Sequence, residues 1–119
     1  MVSSAPELAR LTLNVATLHH DSTVSGRRLV YGGHTIGVAA SQLTRALPNL
    51  VTIVGWHRCD HTGPVFEGDT LHSDIQLERL DPIRGWGALA HLRSRVRATR
   101  AVGNETAPVL DWRVVGLVI

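Results

Sequence analysis

The stretch "HTIGVAASQLTRALP", residues 34–48, constrains the fold more than any other part of this chain. Ile36, Ala39, Ala40, Leu43 and Leu47 recur at helical spacing, Thr35 can cap or open the first turn, and Pro48 marks the stop. That spacing predicts a helix from about His34 or Thr35 to Leu47. Its small residues, Gly37, Ala39, Ala40 and Ser41, give it little stability in isolation but let its backbone lie close to a sheet. A buried helix follows, and the rest of the chain has to supply what buries it.

The covering layer is written after Asn49, where the texture changes to strands. "LVTIVGWHR" (50–58), "TLHSDIQLERL" (70–80), "ALAHLRSRVRA" (88–98) and "PVLDWRVVGLVI" (108–119) carry β-branched or alternating apolar positions between turn-like segments. In the second, Leu71, Ser73, Ile75, Leu77 and Arg79 are expected on one side, with His72, Asp74, Gln76 and Glu78 on the other. Ahead of the long helix, "SSAPELARLTLN" predicts a short helix with Ser3 or Ser4 as cap, and "DSTVSGRRLVYGG" reads as loop and turn. The 119 residues suit one small domain of the α+β class, an antiparallel sheet wrapped around a central helix. Such a sheet has open edges, and pairing two sheets edge to edge in a symmetric dimer would cover them.

Composition removes several classes of function. Hydrophobic residues make up 44% and charged residues 18%, a balance that excludes intrinsic disorder. No apolar stretch approaches a membrane span and the first fifteen residues lack a signal-peptide pattern, so a cytoplasmic location and no membrane partner are the expectation. Cys59 stands alone, with neither a disulfide partner nor a CxxC pair, which suits a reducing compartment. In "RSRVRATR" (93–100), Arg93, Arg95 and Arg97 share a face at strand spacing. That face reads as a solvated surface or as an anion site, and a nucleotide-bearing small molecule fits better than nucleic acid because no nucleic-acid-binding motif accompanies it.

The polar segment "NVATLHHD" (14–21), followed by "GRRLVYGGHTIGVAASQ" and then "GPVFEGDTL", resembles the MaoC-like acyl-CoA dehydratases and enoyl-CoA hydratases of the hotdog fold. Within that family the spacing is most similar to mesaconyl-CoA hydratases (β-methylmalyl-CoA dehydratases). The resemblance covers roughly Leu11 to Leu80 with motifs, and the later strands in pattern alone. It implies a sheet-wrapped helix, an active site at that helix's edge, and paired hotdog units as a homodimer or with a second hotdog subunit. Two departures stand out. Asn14, Ala16 and Thr17 occupy the places of the family's Asp, Asn and Pro, and Asn at the first place is similar to the mesaconyl-type subgroup. The family's usual first strand has no counterpart before the first short helix, so residues 1–119 are expected to be a single hotdog domain lacking that strand, or the C-terminal half of a double-hotdog protein.

Hydrating an enoyl thioester requires a water aimed at the β-carbon, a group that takes and returns a proton, and donors for the charge gathering on the thioester oxygen. His19 is the acid–base candidate, against the plain reading of a solvated turn histidine. Asn14 can orient the water without acting as base, or can simply cap local backbone groups. Asp21 is available to orient His19 or His20, or to form an Asx turn. "YGGHT" precedes the long helix, where free N–H groups can receive an oxyanion and Gly32 and Gly33 allow the thioester close. Tyr31 is then a pocket wall and His34 a substrate contact or a cap, while Arg93 and Arg95 are candidates for the phosphates of CoA. In "GPVFEGDTL", Pro64 and Gly68 set a bend and Asp69 bonds locally, a structural role. His57, His61 and His72 lack metal-ligand spacing, and the chemistry calls for no metal and no cofactor besides the acyl-CoA substrate. The expected activity is therefore that of a hydro-lyase acting reversibly on a short or branched enoyl-CoA. A hotdog thioesterase and a non-catalytic structural subunit of a heteromeric hydratase are the alternatives.

Overall fold

The computed structural model describes Val2, Leu29, Val30 and residues 32–119. Helix α1 spans Gly32–Ala46, and four strands follow: β1 (Leu50–His61), β2 (Thr70–Pro82), β3 (Ala88–Thr99) and β4 (Thr106–Val118). They form one antiparallel sheet in the order β1-β4-β3-β2, wrapped around the helix. The hotdog architecture expected from the sequence is the one observed. The short helix expected near the start of the chain lies outside the described residues.

The helix starts two or three residues earlier than its apolar period suggests, because the glycine pair joins its first turn, and it ends before Pro48. Thr35, Ala39 and Leu43 are its buried residues, four apart on one stripe, and Ala39 and Leu43 join the core cluster with Leu71, Leu92, Val96 and Ala98. The helix packs on β2 and β3. A polar clasp fixes that docking: Gln42 Nε2 donates to the Leu71 carbonyl at 2.8 Å, and the Ser73 hydroxyl donates to Gln42 Oε1. Because these groups sit at the helix–sheet boundary, pairing them avoids the cost of leaving amide and hydroxyl atoms dry and unbonded.

In β3 the alternation predicted from sequence is regular. Ala88, Ala90, Leu92, Ser94, Val96 and Ala98 are buried, while Arg93, Arg95 and Arg97 lie on the opposite, outer face. Its neighbour β4 places Trp112 directly opposite Ser94 on the inner face, where the indole also meets Trp56 of β1 edge-on at 5.7 Å. β2 corrects the sequence reading in part. Leu77 pairs with Leu92 but Arg79 pairs with His91, so Glu78 is an extra residue and the facing inverts beyond it. Arg79 therefore joins the outer face instead of following Leu71 and Ile75, and Leu80 takes the inner one opposite Ala90. β1 carries three such register irregularities against β4. Among the described residues no helix is long and apolar enough to cross a membrane.

The core location of Leu43 makes a direct prediction. Leu43→Ala is expected to lower the unfolding free energy by about 2–5 kcal/mol, through lost transfer energy plus a residual cavity. Val102→Ala, in the turn after β3 where Val102 is 88% exposed, is expected to change it by less than about 0.5 kcal/mol. Urea titration of both variants checks the contrast.

Candidate active site

The start of α1 is the natural place to look for chemistry, since its first N–H groups have no partner within the helix. Gly32, the first helical residue, is packed unusually closely. A Cβ built on it would lie 2.9 Å from both Cε1 and Nε2 of His61, nearer than side chains approach one another. The imidazole of the last residue of β1 thus rests on the bare backbone of Gly32, and a side chain there would have to push the ring aside. Beside this contact opens a cleft of about 430 Å³, bordered by Val30, Gly32 and Thr35 on one side and by His61, Thr62 and Pro64 on the other.

The loop after β1 forms one wall of this cleft and is held at several points. Thr62 N–H donates to the Val109 carbonyl at 3.0 Å, and Val30 N–H donates to the Val65 carbonyl at 2.8 Å. Leu29 and Phe66 form an isolated antiparallel bridge. Gly68 supplies the positive φ of 97° that the turn requires. Asp69, 1% exposed, accepts the Phe66 N–H at 2.9 Å and pairs with Arg100 Nη1 at 2.5 Å. Arg100 in turn donates to the Pro64 carbonyl at 3.0 Å and lies 5.4 Å from the centre of the Phe66 ring. The bend around Pro64 and Gly68 with a locally bonded Asp69 agrees with the sequence reading, and the anchoring arginine comes from the end of β3, which local sequence does not disclose.

The residues singled out from sequence divide into three groups. Asn14, His19, His20, Asp21 and Tyr31 lie outside the described residues. Gly32, Gly33 and His34 occupy the first turn of α1 but do not share one surface: Gly32 borders the cleft, while Gly33 and His34 border a groove of about 370 Å³ along the helix with Val38 and Arg45. Burial pushes His34 below its ordinary value of 6.5, against the opposing pull of the Glu67 carboxylate. Arg93 and Arg95 stand on the outer face of the sheet, away from the helix. The Arg93 fork is committed to Asp111, with contacts of 2.9 and 2.6 Å. Those hydrogen bonds raise the arginine and hold the Asp111 carboxyl below the usual carboxylate range. Arg95 borders two shallow grooves with Asp74, and Thr62 is shared between one of these and the helix-start cleft.

The three histidines considered for a metal are dispersed. His72 lies on the outer face opposite Arg97. His57 stacks on His91, with Nε2 and Nδ1 3.0 Å apart, and His91 Nε2 is 2.8 Å from Asp81. Although desolvation opposes ionisation, the hydrogen bonds from His91 and Arg79 hold Asp81 below the usual carboxylate range. His61 alone of the three borders the cleft, and its place there is what sequence reasoning missed. The irregular register of β1 hides which of its residues face inward.

Two measurements test this geometry. Asp69→Asn keeps an acceptor for Phe66 N–H but strands the Arg100 charge, and it is expected to cost roughly 3 kcal/mol of stability in denaturant titration. Lowering the pH from 7 to 5.5 passes through the 6.5 at which His34 would take a proton in the unfolded chain while the folded site resists it. Stability is therefore lost as pH falls across that window. The melting temperature should drop over it, and by less in His34→Gln.

No family profile matches the chain. A beta-methylmalyl-CoA dehydratase of Chloroflexus aurantiacus is 34% identical over 123 residues, covering 89% of this chain and 35% of that protein. A solved structure from Mycobacterium tuberculosis, a conserved hypothetical protein described as having a double hotdog fold, is 55% identical, with a TM-score of 0.87 over 100% of this chain and 36% of its own. A second, from Chloroflexus aurantiacus and described as a MaoC domain protein, is 32% identical, with a TM-score of 0.76 over 96% of this chain and 37% of its own. The chain thus spans about a third of the length of these relatives.

Proposed function

Because the chain belongs to the MaoC-like, hotdog-fold family of acyl-CoA dehydratases and hydratases, we propose that it hydrates and dehydrates a short or branched enoyl-CoA reversibly. The observation that carries this reading is the cleft at the start of α1, which brings the first-turn N–H groups, those with no partner within the helix, and a Gly32 that has no side chain, to an open space wide enough for a thioester. In this reading the Gly32 and Gly33 amides receive the thioester oxygen as it gathers charge. His19 takes a proton from water and returns one to the α-carbon, and Asn14 orients that water. In it Tyr31 serves as a pocket wall, and His34, which burial pushes below its ordinary value, as a substrate contact or a cap. The CoA phosphates fall to Arg95, whereas Arg93 serves mainly as the partner of Asp111.

A second hotdog unit, from another copy or another chain, belongs to the same proposal. The edge strand β1 leaves Val51, Val54 and Trp56 about half exposed, and a partner sheet would cover them.

The test is a panel of enoyl-CoAs followed by loss of the conjugated thioester absorbance. His19→Ala should lower turnover by about 10²–10⁴-fold, and Asn14→Ala by less. Asn14→Asp should preserve or raise it, and His20→Ala should change it least. Release of free CoA, detected with a thiol reagent, would instead assign a thioesterase. Activity that survives His19→Ala in a complex with a second hotdog subunit would assign this chain a structural role.

A further inference from the structure

The bare backbone of Gly32 has an occupant. His61 Cε1 and Nε2 sit where a side chain on Gly32 would be, so a thioester carbonyl approaching the helix start meets the edge of an imidazole as well as backbone amides. We propose that His61 is a further residue of the thioester site, one that donates Nε2–H to the thioester oxygen beside the α1 amides. This rests on the hydratase reading above.

Three observations support it. His61 ends β1 on the inner face, opposite Leu110, so the sheet register aims its side chain toward the helix and away from the outer charged surface. The next residue, Thr62, is held by Val109, which limits how far the strand end can carry the ring away. The cleft opens beside the ring, with Thr35 and Thr62 at its border, so a ligand there reaches Nε2 without unfolding anything. An imidazole is both flat enough to lie on a glycine and able to donate a hydrogen bond through Nε2–H, and a donor already aimed at the place where the oxyanion forms needs no reorganisation as the charge develops. The chemistry involves no transfer from His61: its proton stays on Nε2 while negative charge rises and falls on the oxygen.

The experiment combines substitution with a binding readout in the full chain. With crotonyl-CoA, His61→Ala should lower kcat by about 10–10³-fold, the range for one lost oxyanion donor, with a smaller change in KM. His61→Gln, which keeps a donor, should recover part of the loss, and His61→Phe, which fills the space without donating, should recover none. Gly32→Ala should impair the wild-type chain by pushing the ring aside, and should cost less in the His61→Ala background, where nothing remains to be displaced. In ¹⁵N spectra, the unreactive thioester butyryl-CoA should move the ring signals of His61 together with the Gly32 and Gly33 amides. If those amides respond while the His61 ring does not, His61 is outside the site and the inference fails alone. If neither responds, no thioester binds at the start of α1, and the hydratase reading of this cleft fails with it. Equal recovery by Gln and Phe would reduce His61 to a space-filling residue and overturn the proposal.

Discussion

The seating of α1 on the sheet is the constraint from which the remaining geometry descends. Ala39 and Leu43 reach the sheet along one stripe, and the Gln42 amide is held by β2 at Leu71 and Ser73. A helix of Gly, Ala, Ser and Thr has little stability of its own, so it is defined by what it touches. Small residues let it sit low, and sitting low sets the height at which its first turn meets the end of β1. The contact between Gly32 and His61 is thus set by packing as well as by the residues that make it.

The opposite wall of the cleft depends on a different kind of force. A turn of mixed composition would wander on hydrophobic contact alone. Here a buried carboxylate at Asp69 gathers a backbone amide and a guanidinium, and Arg100 carries the link on to the Pro64 carbonyl and the Phe66 ring. The cleft is therefore bounded on one side by shape and on the other by directional polar bonds. Val2 adds to the second, exchanging backbone hydrogen bonds with Asp69 and Gly68 at 2.8 Å each.

Legibility from sequence follows the range of the interaction involved. The central helix, the four strands and the alternation of β3 depend on periods within one segment, and all were readable from residue spacing. The turn at Pro64 to Asp69 was readable because its bonds are local. The bulge at Glu78 was not, because an extra residue is defined only against a partner strand, and an alternating sequence continues through it unmarked. The same limit concealed His61, which three irregularities of β1 separate from any simple count of faces. Of the candidate site, the glycine pair was marked by its place before a helix, whereas the imidazole resting on it comes from a strand almost thirty residues later in the chain.

The facing of Ser94 and Trp112 carries a consequence for how the sheet finds its alignment. Apolar alternation forbids a slip of one residue, which would turn every buried side chain to water, but it tolerates a slip of two, which returns each to its proper face. Size does not tolerate it. Displacing β4 by two would set the indole against Leu92 or Val96, the buried neighbours of Ser94 on the same face, where two bulky side chains would compete for the volume that a serine leaves open. Among the described residues neither the hydroxyl nor the indole N–H, both buried, has a hydrogen-bond partner, which fits a serine placed there for its smallness more than for its polarity. A single small residue opposite the largest one acts as a steric key that admits one alignment of the central strands, and the position of β1, with the histidine at its end, is inherited from that alignment.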